Sequence, residues 1–531
     1  MLSQSSRLLV VGFVFTFSAL RVAAQQPVDV IGNLSLSDYT TYIQPQAYND
    51  WGNEPFIAVN PVNPSEMIIS SFAYGTPATG DPGASLWYST NAGASWSIRF
   101  PINTDPAAGV GAPFDQTYAY DSNGVLHGVV LGINLSNGNQ NIYQGSTSAP
   151  GNDGMNGHPA SSWQWTAQGA INNQAITSTT ADQPWIAMSG SNILAGYDNF
   201  NSNFTAVEER AVLSTDGGAT FASTNDLAVS RGGQVFSGPV NPGLRLTTDS
   251  AGHAYAIYGI PSADLGNSVH TIDYRLNRYT FGSSTWDYTN STSNPGGLGI
   301  DSGNSTQGNT AQNLSFGGKN MLLGNITSVA ATGDGSRVYA VYGKQDGTGV
   351  DRLYLATFAT VAGNLVEQPN SGVNPFSIAG ERSALPSVAV AANGTIGVLY
   401  QTTPSPNMFE VHFALSLDQG LTFSDQTLLS YNTTNIPLQG QNDRLLGDYE
   451  DLTAIGDTFY GTFPGAGNTN SGGINTTGII SPYFFEVTAP EVAVPEPGTF
   501  IAGLLVGGFL STQRLRCLKK GRADRNRRLG L

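Results

Sequence analysis

The sequence predicts an all-β chain closed into a β-propeller, with seven blades expected and six or eight as the alternatives. Three observations carry this. A strand–turn–strand unit recurs seven times along the 531 residues, with starts about 60 residues apart. The apolar runs are short, alternating and separated by Gly, Asn and Asp, with no long stretch at the 3.6-residue period of an amphipathic helix. An eight-residue turn pattern recurs three times in one register.

In chain order the units are 56–74 (FIAVNPVNPSEMIISSFAY), 117–131, 185–197 (WIAMSGSNILAGY), 244–258, 328–342, 387–400 (SVAVAANGTIGVLY) and 451–463. Each places two β-forming runs on either side of a tight turn, which reads as a hairpin. The step from 244 to 328 is longer and contains a Gly/Ser/Asn-rich stretch, 291–318, expected to be an inserted loop. A lone hairpin cannot bury both faces, so each interval must hold more sheet. Residues 86–90 with 96–100, and 409–415 with 422–429, read as second strand pairs. Four strands repeated around an axis solve the edge problem by radial closure. The seventh unit offers only one further strand, 479–487, so its fourth strand is expected to come from 28–35 at the N-terminus.

The recurring turn pattern comprises Ser89-Thr-Asn-Ala-Gly-Ala-Ser-Trp96, Ser214-Thr-Asp-Gly-Gly-Ala-Thr-Phe221 and Ser416-Leu-Asp-Gln-Gly-Leu-Thr-Phe423. The acidic or amide side chain at Asn91, Asp216 or Asp418 can accept backbone N–H groups, Gly permits φ > 0, and the aromatic buries the hairpin end. The pattern resembles the Asp box, or bacterial neuraminidase repeat, of sialidase-like propellers. The resemblance covers most of the body and implies the fold. In that family the boxes sit away from the catalytic centre, so these three side chains are expected to be structural.

The two ends are processing signals rather than fold. Arg7, the apolar run 8–20 and Val22-Ala23-Ala24 read as a secretory leader over 1–24. The propeller is expected over 25–490. Residues 491–531 divide into Val494-Pro495-Glu496-Pro497-Gly498-Thr499, an apolar stretch 500–510, and a basic tail 511–531. The apolar stretch is shorter than the ~20 residues of a comfortable membrane span, and the basic cluster would stay cytoplasmic. This arrangement resembles the PEP-CTERM sorting signal of Gram-negative bacteria. That resemblance implies transient membrane anchoring, removal of the tail by an exosortase, a cell-surface or extracellular destination, and extracellular polysaccharide as a companion.

Between residues 25 and 499 there are 37 acidic against 12 basic residues, a net charge of −25. Such a balance argues against nucleic acid or anionic membrane as a partner of the body. The one cysteine, Cys517, lies in the tail, so the body forms no disulfide and must rest on a large core.

Ligands of propellers usually bind at the axis where the innermost strands begin, and this comes with the fold rather than from composition. Aligned on the alanine of the first strand, Glu54, Asp115 and Glu450 each precede it by four residues, with Gln183 in that slot of the third unit and Asp182 beside it. Asp448 and Tyr449 lie just before Glu450. Glu54, Asp115, Asp182, Asp448 and Glu450 should therefore converge, which suits calcium or a hydroxyl-rich ligand as well as it suits solvated turns. The sialidase resemblance implies three arginines on a carboxylate, a tyrosine nucleophile helped by a glutamate, and an aspartate acid/base. Available candidates are Arg245, Arg382 and Arg444, with Tyr449 and Glu450. The Arg-Ile-Pro segment expected before the first box is missing. Tyr449 and Glu450 are also adjacent, so a strand would point them to opposite faces. A glycoside hydrolase using two axial carboxylates is a further alternative. His127, His158, His253, His270 and His412 lack metal-ligand spacing. The sequence favours a non-catalytic glycan-binding or matrix role, with an exo-α-sialidase-like hydrolase as the alternative.

Overall fold

The computed structural model describes residues 26–43, 52–72, 86–99, 110–134, 140–154, 158–171, 180–221, 226–228, 243–266, 269–288, 296–300, 309–310, 315–321, 326–345, 350–369, 371–372, 376, 381–437, 444–468 and 474–491. The expected leader and the sorting motif with its tail lie outside these residues.

The fold is a seven-bladed β-propeller of antiparallel sheets. Blade 1 runs from the axis outward as Asn53–Val59, Met67–Phe72, Leu86–Ser89 and Ser97–Arg99. Blade 2 is Val110–Tyr120, Leu126–Asn134, Gln140–Thr147 and Gln164–Ala170. Blade 3 is Thr180–Ser189, Asn192–Phe200, Val207–Ser214 and Asp226–Ala228. Blade 4 is Arg245–Thr248, His253–Gly266, Val269–Thr280 and Leu298–Gly299. Blade 5 is Thr327–Ala331, Arg337–Gln345, Asp351–Val361 and Asn364–Glu367. Blade 6 is Arg382–Val390, Ile396–Ser405, Met408–Ser416 and Ser424–Asn432. Blade 7 is Asp451–Ile455, Thr458–Ala466, Ile480–Thr488 and, from the N-terminus, Val28–Asp29. The innermost strands touch one another in sequence around the ring, and the last touches the first.

Two expectations need correction. The Gly-rich stretch 291–318 is not only an insertion, because Leu298–Gly299 is the outer strand of blade 4 and Asn309–Thr310 pairs with that blade's third strand. The N-terminal closing strand is also shorter than 28–35. Asp29 Oδ1 accepts the Gly32 N–H at 2.9 Å and turns the chain into a 3₁₀ turn, Ile31–Asn33. The same carboxylate accepts the hydroxyls of Ser481 and Thr476, fastening the first residues of the fold to the last blade. Val28 pairs with Phe484 and Asp29 with Tyr483.

The core lies between neighbouring blades. Sheets stacked face to face bury both sides of a middle strand, so Asn192–Phe200 is buried almost throughout. The outer strand Ser424–Asn432 is largely solvent-facing, with Leu428 and Tyr431 buried. Phe413 of blade 6 meets Phe459 and Phe485 of blade 7 edge-on at 5.6 and 5.3 Å, within a core continuous with blade 5.

The three recurring turns join the third and fourth strands of blades 1, 3 and 6. In each, a serine hydroxyl donates to the Asn or Asp and accepts from the glycine N–H. Asp216 and Asp418 accept both N–H and hydroxyl of the following threonine, whereas Asn91 accepts the Ser95 N–H and donates to its hydroxyl. These side chains close their own turns, on the outer part of the blades. His253 likewise bonds Asp249 at 2.8 Å, and His127 lies 3.7 Å from Asp121, each within a first hairpin.

Candidate functional site at the propeller axis

An innermost strand is an edge strand, with backbone groups that have no ladder partner. Side chains of the preceding blade supply partners here. Thr117 Oγ1 accepts from Ile186 N–H at 3.0 Å, Ser328 Oγ from Val388 N–H at 3.0 Å, Ser387 Oγ from Leu452 N–H at 2.9 Å, and Asp451 Oδ2 from Ile57 N–H at 3.1 Å. This belt fixes equivalence between blades. Phe56, Thr117, Trp185, Arg245, Ser328, Ser387 and Asp451 hold one level of the ring, facing Ser70, Val129, Gly196, Ile257, Val341, Leu399 and Thr462 in their sheets.

Two residues nearer the strand start, the ring carries Glu54, Asp115, Gln183 and Tyr449. In blades 1, 3 and 6 a bulge precedes the belt, at Glu54-Pro55, Gln183-Pro184 and Leu385-Pro386. Glu54, Gln183 and Leu385 all take positive φ (51°, 41° and 54°). This is a sparsely populated region for residues with a Cβ, costing about 1–3 kcal/mol each, and it survives only where surroundings enforce it. Gly447 is one such constraint. Its φ is 80°, and a Cβ there would lie 2.0 Å from Asn53 Oδ1 and 2.1 Å from Glu54 Cγ. Asn320 supports the same linker, bonding the N–H groups of Leu446 and Gly447 and the carbonyl of Gly447.

The structure brings together Glu54, Asp115, Asp182, Asp448, Tyr449, Arg245 and Arg444. Arg444 Nη2 donates to Glu54 Oε1 at 2.6 Å and to Asp448 Oδ2 at 2.5 Å. Gln183 Nε2 donates to Asp448 Oδ2 at 2.9 Å and its Oε1 accepts from Arg245 at 3.0 Å. The Arg245 guanidinium lies 4.5 Å from the Trp185 ring and 5.4 Å from that of Tyr449. The Tyr449 hydroxyl donates to Asp115 Oδ1 at 3.4 Å. All are buried except Asp182 and Arg444, which are partly buried.

Burial sets the charges. It raises the Asp115 carboxyl well above the usual range, with Glu54 and Asp182 adding repulsion. It raises Glu54 too, against the opposing pull of Arg444. Asp182 is pushed up to about 6, again by burial first, with the Gln183 N–H opposing. Glu54 Oε2 has no donor in hydrogen-bond geometry, and Asp115 is its carboxyl neighbour. Burial likewise holds the Tyr449 hydroxyl well above its ordinary value, which opposes a phenolate nucleophile.

Two candidates are not brought to this cluster. Glu450 points between blades 6 and 7, where its Oε2 accepts from Gln401 at 2.8 Å and Gln401 accepts from Tyr431. The belt shows that Thr453, not Ala454, matches the alanines of the other blades, so Tyr449 occupies the ring slot expected of Glu450. A one-residue slip reverses the face of every side chain in a strand. Arg382 lies 3.6 Å from Asp351 with its side chain 46% exposed, unlike the buried Arg245. The triad Arg245, Arg382 and Arg444 is thus not assembled. Among the described residues no group of three or more His, Cys, Asp or Glu is arranged to hold a metal ion.

Sequence reading missed Asp451 and the buried pair Asp198 and Glu209 behind Arg245. Asp198 Oδ1 accepts from Gly243 N–H at 3.1 Å, and burial lifts its carboxyl to about 7. The repeated X-Pro before an apolar strand was the available signal for the bulges, and the Thr/Ser/Ser/Asp series for the belt.

No protein-family model matches the chain, and no curated protein matches it. Among solved structures it is similar to the polysaccharide lyase Uly1, with 8% identity over 87% of this chain and 97% of that one, and a TM-score of 0.46. It is also similar to the Trypanosoma rangeli sialidase (14% identity, 69% and 55% covered, TM-score 0.37). An α-L-arabinanase of Penicillium chrysogenum shares 11% identity over 72% and 94%, with a TM-score of 0.37. At these values the likeness is one of architecture and says nothing of activity.

Proposed function

We propose that this chain is an exported propeller, trimmed at the cell surface, that binds glycan without cleaving it. One observation carries the non-catalytic part: both guanidinium groups of the axial cluster are already engaged inside the protein. Arg444 is held by Glu54 and Asp448, and Arg245 by Gln183 between two aromatic rings. A substrate carboxylate would have to displace buried partners to reach them. A two-carboxylate hydrolase would draw on the same cluster, where Glu54 and Asp448 are held by Arg444 and Asp115 accepts the Tyr449 hydroxyl. The acidic body and the Pro495-Glu496-Pro497 tail support an extracellular setting with polysaccharide as the companion and an exosortase as the processing partner.

The test is direct. Protein recovered from cells expressing the full chain is incubated with a fluorogenic sialoside and with a panel of aryl glycosides, then applied to a glycan array. Array binding without reporter release is expected. Turnover that disappears in Arg245→Ala would overturn the reading, as would silence across the array. Mass spectrometry of the surface protein should show loss of the tail, and Pro495→Ala with Pro497→Ala should retain it.

A further inference from the structure

The axis holds a second feature, a cavity of about 340 Å³ bounded by the innermost strands of all seven blades. Its lining includes Phe56, Trp185 and Arg245 but not Glu54, Asp115, Gln183 or Tyr449. The charged cluster is therefore the closed end of this cavity. Exposure along the strands says where the open end is. Trp185, Arg245, Ser387 and Asp451 are buried, while Tyr120, Met188, Thr248 and Ile455, at the first-hairpin turns, are partly exposed.

The wall suits a neutral ligand. Its lining charges are Arg245, already bonded to Gln183, and Asp451, whose Oδ2 accepts the Ile57 N–H. One positive and one negative side chain leave this lining without net charge, and each already has a partner within the protein. What remains is edge-strand backbone and the small residues Ala58, Ala119, Ala187, Thr247 and Thr453. Backbone amides and threonine hydroxyls match a hydroxyl-rich partner, and the volume is at the low end for a ligand pocket, of monosaccharide size.

We propose that the channel takes one neutral sugar residue through the hairpin-turn face, opposite the face where the strands begin. This rests on the glycan-binding reading and assigns its position. The experiment uses the protein from the full chain in a Cys517→Ser background. Saturation-transfer NMR with glucose, galactose, mannose and cellobiose identifies a bound sugar. Thr453→Trp, which fills the open half of the channel, should weaken it at least tenfold, and Thr453→Val severalfold with an unchanged unfolding temperature. Thr248→Cys should react with a small methanethiosulfonate reagent, and the sugar should slow that reaction. Unaltered binding in both Thr453 variants, or labelling of Thr248→Cys that the sugar does not slow, overturns the channel site while leaving glycan binding elsewhere intact. No binding of any sugar or array glycan overturns both readings.

Discussion

Arg444 donates to Glu54 at 2.6 Å across 390 residues of sequence, joining the linker before the last blade to the first strand of the first. The ion pair closes the ring at the axis, as the N-terminal strand closes it at the rim.

Removing the cation should be costly. Arg444→Met leaves Glu54 and Asp448 buried with repulsive charges, and loss of one partner from a buried pair costs about 3–5 kcal/mol. Urea unfolding should show a loss of that order. Adding Glu54→Gln and Asp448→Asn should recover more than half, since the uncompensated charge then disappears.

The rim closure should be equally sensitive. Asp29→Ala leaves the Gly32 N–H without its acceptor, while Thr476 and Ser481 keep the Asn468 and Pro482 carbonyls. Hydrogen bonds to a charged group contribute about 1.5–3 kcal/mol each, and because two of the three donors keep another acceptor a loss of about 3 kcal/mol is expected. Hydrogen exchange should accelerate in Ile480–Thr488 before the strands of blades 2 and 3 respond.

Stability should fall as pH rises. Burial lifts Asp182 to about 6 and Asp198 and Asp451 to about 7, each from 3.8. A carboxyl raised in the folded state stabilises fully below its unfolded value, and that contribution is lost as pH climbs through the folded value. The window is therefore about pH 4 to 7. Calorimetry should place Tm at pH 5 above that at pH 8 by roughly 5 °C, and Asp451→Asn should reduce the difference.

The recurring turns should matter to stability alone. Asp216 is held down to about 2 by the Thr220 hydroxyl and N–H and by Ser214. Asp216→Ala should cost about 1 kcal/mol in urea unfolding, because the turn is exposed. Its array binding should match that of the unaltered protein.

The sequence by itself determined the all-β class, the repeat and its seven copies, the two recurring turn chemistries, and the N-terminal origin of the closing strand. These are local matters of alternation and turn residues, legible along the chain. It also placed Glu54, Asp115, Asp182 and Asp448 near one another, because equivalent positions in a closed repeat face the same axis. Only the tertiary structure decided which of Tyr449 and Glu450 joins them. That choice depends on a single-residue register, set by Asp451 accepting a hydrogen bond from the Ile57 N–H of the next blade. It also decided that Arg444 is paired with Glu54 and Asp448 and Arg245 is bonded to the Gln183 amide, while Arg382 stands apart with Asp351. Pairing of charges is a property of three-dimensional distance, and alternation along a strand carries no record of it.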